Sequence, residues 1–366
     1  MIYRDFQGLK LSALGFGTMR LPTIGGVYSK IDEKAAAEMF DYAIQHGVNY
    51  FDTAWGYHDG ESENTETSKF PGYDLSNFGR VEEIFEKQLK KCRVDYFDFY
   101  LFHNVCEMNI DAYLNEEKYG TYSYLMEQKK NGRIRHLGFS AHGSLAVIER
   151  FLEKYGKDME FCQLQINYLD WEFQNAKGKV ELLKKYNIPV WVMEPVRGGK
   201  LASLAAEDEK KLKAFRPNDS IASWAFRFLL ALPEVKVILS GMSDMKQVKD
   251  NIKTFEEAKP LNAEESAVLD AIAREMLAKT SLPCTACRYC TSHCPKHLDI
   301  PELIKLYNEH RFTGGGFIAP MVVSALAEEK RPSACVGCRS CEKVCPQQIK
   351  ISEMMKDFTA RLNASE

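Results

Sequence analysis

The chain has 366 residues, 45% of them apolar and 27% charged, and its formal net charge is −3 with acids and bases mixed along its length. That length leaves room for a sizeable core and more than one domain, and the charge pattern excludes a polybasic surface for nucleic acid or for a membrane. The opening residues, MIYRDFQGLK, lack the apolar stretch of a signal peptide, and no apolar run is long enough to span a bilayer, so the expectation is a cytoplasmic protein with neither nucleic-acid nor membrane partners.

From the N-terminus to about Ala258, strand-like and helix-like segments alternate. Strands are predicted at 11–19 (LSALGFGTM), 49–54, 96–103, 135–141, 161–168, 188–195 and 235–241. Most are nearly continuous apolar runs, as parallel strands covered on both faces should be. The segments DEKAAAEMFDYAIQHG, GRVEEIFEKQLKKC, SLAVIERFLEKYG and SIASWAFRFLLALP carry apolar residues at helical spacing, and the first stops at Gly47. Repeated strand-then-helix units imply a parallel sheet, and about eight of them in some 250 residues imply a closed (β/α)8 TIM barrel in the α/β class. An open doubly wound sheet is the alternative, but no G-x-G-x-x-G follows the first strand.

One stretch breaks the pattern. Between NYFDTA and the helix near Val81 a barrel needs a helix and a third strand, yet residues 58–68 contain no large apolar side chain. A parallel crossover takes about a dozen residues or more. Either the second helix is lost or the chain omits a stretch; an open barrel would leave strand edges unpaired, which favours the omission. After Leu261 the alternation ends. A linking helix is expected over 261–280 (NAEESAVLDAIAREMLAK lies within it), and the remaining residues, 281–366, form a second domain too small to rely on a conventional core.

Eight of the eleven cysteines lie in two short runs of that second domain, CTACRYCTSHCP (284–295) and CVGCRSCEKVCP (335–346). The other three, Cys92, Cys106 and Cys162, read as small buried apolar residues. Both runs have the form C-x2-C-x2-C-x3-C-P. Three cysteines at i, i+3 and i+6 wrap one loop around a [4Fe–4S] cubane, and the proline holds the fourth in an extended segment. Structural zinc would use two separated C-x2-C pairs, and a disulfide framework conflicts with the compartment. The region resembles a bacterial-type ferredoxin, with a longer linker between the runs. In two-cluster ferredoxins the fourth cysteine of each run ligates the other cluster. By that rule Cys284, Cys287, Cys290 and Cys345 hold one cluster, and Cys335, Cys338, Cys341 and Cys294 the other. The second domain is therefore expected to be a small α+β ferredoxin-like iron–sulfur domain.

Catalytic groups of a (β/α)8 barrel sit at the C-terminal ends of its strands. Those ends offer Asp52 in FDTAWGY, Tyr57 five residues on, Lys69 in TSKF and His103 in YLFH. Here residues 3–258 resemble an aldo-keto reductase; FDTA followed by Tyr, DYFDFYLFH and RHLGFSAH are the specific marks. The resemblance implies a tetrad. Tyr57 would supply the proton of a carbonyl reduction, Lys69 would favour its ionised form, Asp52 would fix the lysine, and His103 would orient the carbonyl. The plainer readings are a strand-end cap for Asp52, an exposed loop aromatic for Tyr57 and a structural histidine for His103.

The same resemblance places the nicotinamide amide against Ser140 and Gln163, with Asn167 nearby and Ala141 where the family has Asn. Met193 stands where the family stacks an aromatic ring. The dinucleotide tail would lie along Ser240, Gly241, Ser243, Gln247 and Asn251. Ser243 replaces the usual basic residue for a 2′-phosphate and Lys246 is not aligned with it, so NADP and NAD both stay open. A nicotinamide moves two electrons as hydride, whereas an iron–sulfur cluster moves one at a time; a flavin, which does both, would bridge them. Three functions follow. The first is NAD(P)H-dependent reduction of a small carbonyl substrate, coupled to electron transfer through two [4Fe–4S] clusters. The second is a ferredoxin-linked oxidoreductase that does not use NAD(P)H, with a ferredoxin or other electron-transfer protein as partner. The third is a redox-sensing binding protein whose clusters are structural. The tetrad favours the first.

Overall fold

The computed structural model describes residues 1–60, 67–257 and 259–364. The chain divides into two compact units, Met1–Ala271 and Ile272–Glu366.

The first unit opens with a hairpin, β1 (Tyr3–Phe6) and β2 (Leu9–Ser12), turning at Gln7 and Gly8, both at positive φ. Eight parallel strands follow: β3 (Leu14–Gly17), β4 (Phe51–Asp52), β5 (Thr67–Phe70), β6 (Phe97–Val105), β7 (Ile134–Ala141), β8 (Cys162–Gln165), β9 (Val190–Met193) and β10 (Val235–Gly241). Their order is β4-β3-β10-β9-β8-β7-β6-β5, and β5 comes alongside β4, which makes the sheet an eight-stranded barrel. The predicted segment 11–19 is two strands, because Ala13 ends the hairpin and starts the barrel.

The predicted helices form at Glu33–Gln45, Val81–Cys92, Leu145–Tyr155 and Ile221–Leu230. Each turns a buried stripe to the strands, such as Val147, Ile148, Phe151, Leu152 and Tyr155. The Asp32 carboxylate accepts from the Ala35 N–H to cap the first, and Gly47 follows it at φ +87.

The third strand forms within the short connection. Thr67–Phe70 pairs in parallel register with β6, Lys69 opposite Leu101. Its anchor is polar, which is why apolar patterning did not show it. Gln88, on the helix Val81–Cys92, donates to Ser68 Oγ at 2.7 Å and to the Lys69 carbonyl at 2.9 Å, and it accepts from the Tyr100 hydroxyl at 2.6 Å. The described part of the connection before it is a single 3-10 turn, Tyr57–Gly60.

The hairpin closes one end of the barrel. Phe6 and Leu11 pack with Tyr50, Phe99, Phe161, Trp191, Val237 and Leu239 in one buried cluster, near the starts of the strands. Only the end where the strands finish is left for a site. Burial of each such side chain contributes about 1.5–3 kcal/mol.

The second unit is two similar halves. Each cysteine run leads into a helix, Ile300–Thr313 after the first and Ile351–Asn363 after the second. A shorter helix, Ile318–Ala325, lies in the linker between the runs. Leu298, Ile300, Leu303 and Ile304 from one half pack with Ile349, Ile351, Met354, Met355 and Phe358 from the other. The regular structure of its described residues is helical. Among the described residues no helix of the chain is long and apolar enough to cross a membrane.

Candidate catalytic and cluster sites

Asp52 ends β4 and Lys69 lies in β5, so the two parallel strands bring them to the same level. Both are buried, at 2% and 0% exposure, and Lys69 Nζ donates to Asp52 Oδ2 at 2.7 Å and to the Thr53 carbonyl at 2.5 Å. Burial pushes the Asp52 carboxyl up, while the charge and hydrogen bond of Lys69 pull it down. The Lys69 ammonium also stands 5.4 Å from the centroid of the Tyr57 ring.

Tyr57 stands in the 3-10 turn that follows β4. Its phenol lies well above the ordinary value: burial raises it most, and the Asp52 carboxylate, Tyr28, Glu194 and Tyr73 raise it further. At neutral pH Tyr57 is therefore a protonated donor. His103, near the end of β6, meets the edge of the Tyr73 ring at 5.3 Å. Burial lowers its pKa far below the usual imidazole range, and the charge of Lys69 adds to that, so the ring is neutral. Asp52, Tyr57, Lys69 and His103 thus lie at the same end of the barrel.

The nicotinamide positions divide into two groups. Ser140 and Gln163 are opposed in the β7–β8 ladder and buried. The buried Gln163 Oε1 has no hydrogen-bond partner among the described residues, and Ser140 Oγ accepts from the Asn104 N–H at 2.8 Å. This pair fits a carboxamide. Asn167 is engaged internally. It donates to Asp170 Oδ2 at 2.7 Å and to the Glu194 carbonyl at 3.0 Å, and it accepts from the Leu169 and Asp170 N–H groups. Ser240 Oγ likewise accepts from Asn251 at 3.0 Å. Gly241 ends β10 under the side chain of Arg20. Ser243 and Gln247 flank Asp244, which caps the next helix by accepting from the Gln247 N–H at 2.8 Å.

Sequence reasoning missed several residues at this end. Glu194 and Arg197 follow β9 with φ of +56° and +49°, strained values for non-glycine residues. Burial raises the Glu194 carboxyl, against the pull of Arg20. Arg197 donates through Nε to Asp170 at 3.0 Å, both nearly fully buried. The available signal was position, since all stand just past a strand end.

In the second unit the two halves repeat a backbone pattern. Ala286, Arg288 and His297 have positive φ, and Gly337, Arg339 and Gln348 have it at the matching places of the other run. Each run is thereby turned back on itself. One cavity is lined by Cys284, Cys287, Cys290 and Cys345, and a second by Cys294, Cys335, Cys338 and Cys341. In each, three thiols come from one run and the fourth from the other. Apolar side chains complete the walls, and Ile351 borders both. Burial pushes the Cys290 and Cys341 thiols up to about 11, whereas hydrogen bonds from Ser340 hold Cys338 below its ordinary value. Among the described residues no group of three or more His, Cys, Asp or Glu is arranged to hold a single metal ion. Thiols spread around a cavity suit a larger inorganic group.

Both units match known families. The model of the aldo/keto reductase family matches residues 13–70 and 73–274, and that of a 4Fe-4S dicluster domain matches residues 283–351. The uncharacterized oxidoreductase YqkF of Bacillus subtilis is 24% identical over 74% of this chain and 95% of its own length. L-galactose dehydrogenase of Arabidopsis thaliana is 25% identical over 73% and 91%. Among solved structures, the holo form of aldo-keto reductase AKR11C1 from Bacillus halodurans has a TM-score of 0.59 at 25% identity, over 74% of this chain and 96% of that one. An aldo-keto reductase from Klebsiella pneumoniae, solved with NADPH, has a TM-score of 0.59 at 17% identity, over 75% and 96%, which speaks to the fold alone.

Proposed function

We propose, for a chain that belongs to the aldo/keto reductase family and carries a 4Fe-4S dicluster domain, that it reduces the carbonyl group of a small molecule at the barrel mouth while its second domain exchanges single electrons with a partner. The observation that carries the reading is the buried Asp52–Lys69 pair set against the ring of Tyr57 where the strands end. Reduction needs a proton at the carbonyl oxygen. Tyr57 keeps its proton at neutral pH and donates it as negative charge builds on that oxygen, when the nearby ammonium is most useful. His103, neutral, offers a hydrogen bond that orients the carbonyl.

NAD(P)H would supply hydride when bound, its carboxamide held by Ser140 and Gln163. The start of the helix Met245–Glu256 presents Ser243 and an acidic cap, Asp244, with Arg20 alongside, so NADPH and NADH are both cofactors to try. The similarity to a dehydrogenase of a sugar supports carbonyl–alcohol chemistry. The relatives lend no support to a flavin. In the second domain, Cys284, Cys287, Cys290 and Cys345 would hold one [4Fe–4S] cluster, and Cys335, Cys338, Cys341 and Cys294 the other. Both clusters would supply one-electron transfer.

The test has two arms. Tyr57→Phe should lower kcat of NAD(P)H-dependent carbonyl reduction by about a hundredfold or more, with the fold retained; unchanged turnover refutes the acid assignment. Anaerobically purified protein should contain about eight iron and eight sulfide per chain, as two [4Fe–4S] clusters require, with the EPR signal of reduced clusters. Material free of iron removes the cluster assignment.

A further inference from the structure

His58, the residue after Tyr57, takes no part in the chemistry above, yet it is among the most confined side chains at the barrel mouth. It is 1% exposed. Its ring stacks on Tyr28, centroids 4.5 Å apart and planes 19° from parallel. Nδ1 stands 2.6 Å from the Tyr28 carbonyl oxygen. Nε2 stands 3.2 Å from the Leu21 N–H nitrogen and 3.1 Å from the Thr18 carbonyl oxygen. The backbone at His58 lies in the left-handed region, φ +53°, which a non-glycine residue occupies only where its surroundings hold it.

All of these contacts are to the segment that follows β3. That segment is itself tied to the tetrad, because the Thr18 hydroxyl donates to the Asp52 carbonyl at 3.0 Å. The imidazole therefore pins the turn carrying Tyr57 to the turn that braces Asp52. The arrangement also selects a protonation state. The Tyr28 carbonyl only accepts, so Nδ1 carries a proton. The Leu21 N–H only donates, and it is satisfied when Nε2 offers its lone pair. The ring then carries a single proton, and its contacts among the described residues are backbone groups and an aromatic face. A doubly protonated ring would donate to Thr18 instead and strand the Leu21 N–H.

We propose that His58 is the positioning residue for Tyr57: in its neutral, Nδ1-protonated form it joins the two turns and so holds the phenol over Lys69. The proposal rests on the reading of Tyr57 as proton donor, and two measurements separate the failure of one from that of the other. Long-range proton–nitrogen NMR of histidine-labelled protein at neutral pH should show a neutral, Nδ1-protonated ring for the resonance that disappears in His58→Gln. A ring protonated on Nε2 alone overturns the proposal. In tyrosine-labelled protein, with the Tyr57 signal identified by its loss in Tyr57→Phe, His58→Phe keeps the stack but removes both hydrogen bonds. It should move the Tyr57 signal and lower kcat about tenfold or more with KM little changed. His58→Gln, able to donate and accept, should recover most of both. An unmoved Tyr57 signal in His58→Phe, or equal defects in the two variants, overturns the proposal. Should His58→Phe fail to fold, the ring assignment in the wild type and the His58→Gln signal still decide it. The expected ring and Tyr57 signals in a protein that reduces no carbonyl would uphold the positioning and sink the functional reading instead.

Discussion

Lys69 is a buried cation whose charge is met by Asp52 at 2.7 Å. Removing one partner strands the other. Lys69→Met should therefore lower unfolding stability by about 3–5 kcal/mol, and the double change with Asp52→Leu should restore part of it; denaturant unfolding followed by tryptophan emission reads both. A second residue sets the acid behaviour of the barrel. Burial pushes Glu160 up, but hydrogen bonds from His136, at 2.7 Å, and from Lys129 outweigh it and hold the carboxyl at about 2. A depressed carboxyl stabilises the fold fully above its ordinary value of 4.5 and loses that contribution as pH falls from there toward 2. The loss amounts to about 3 kcal/mol at most. Glu160→Gln should flatten the fall in stability between those pH values, and an unchanged slope would place the acid sensitivity elsewhere. At this scale the sequence showed which residues were chemical but not what their neighbours did to them. Tyr57 is one such residue: burial first, and then the Asp52 carboxylate, hold its phenol well above the ordinary value.

Among elements, β5 is the instructive one. It is four residues long, follows a connection without a described helix, and carries the lysine of the site. Apolar patterning failed there because the strand is held through Gln88, Ser68 and Tyr100, a buried polar network that links it to the helix Val81–Cys92. Gln88→Ala should cost about 2–4 kcal/mol by leaving those groups without their bonds. It should also lower kcat, since Lys69 loses the bond to its carbonyl. Stability that falls while kcat stays at the wild-type value would show that Lys69 is placed by Asp52 alone. The two cysteine runs are the opposite case. The resemblance to a two-cluster ferredoxin implied the exchange of fourth cysteines, and the cavities are lined in that pattern.

For the molecule as a whole, the two units have separate cores, and all four tryptophans lie in the first. Stripping iron with a chelator should therefore remove the visible absorbance and part of the helical signal, the second unit being too small to hold together without its staples. Tryptophan emission should stay as it was. Emission that shifts with iron removal would show that the barrel depends on the clusters.

The sequence by itself determined the barrel, from alternating apolar strands and amphipathic helices, and the cluster-binding character of the tail, from a spacing repeated twice. Both are periodic or local signals, written in residue order. Only the tertiary structure decided that β1 and β2 close one barrel end, that Thr67–Phe70 supplies the third strand, that Asn167, Ser240 and Asn251 bond internally, and that His58 bonds to the segment after β3. Those outcomes depend on which distant groups meet, and on the burial that then sets their charge, and neither is carried by the order of residues along the chain.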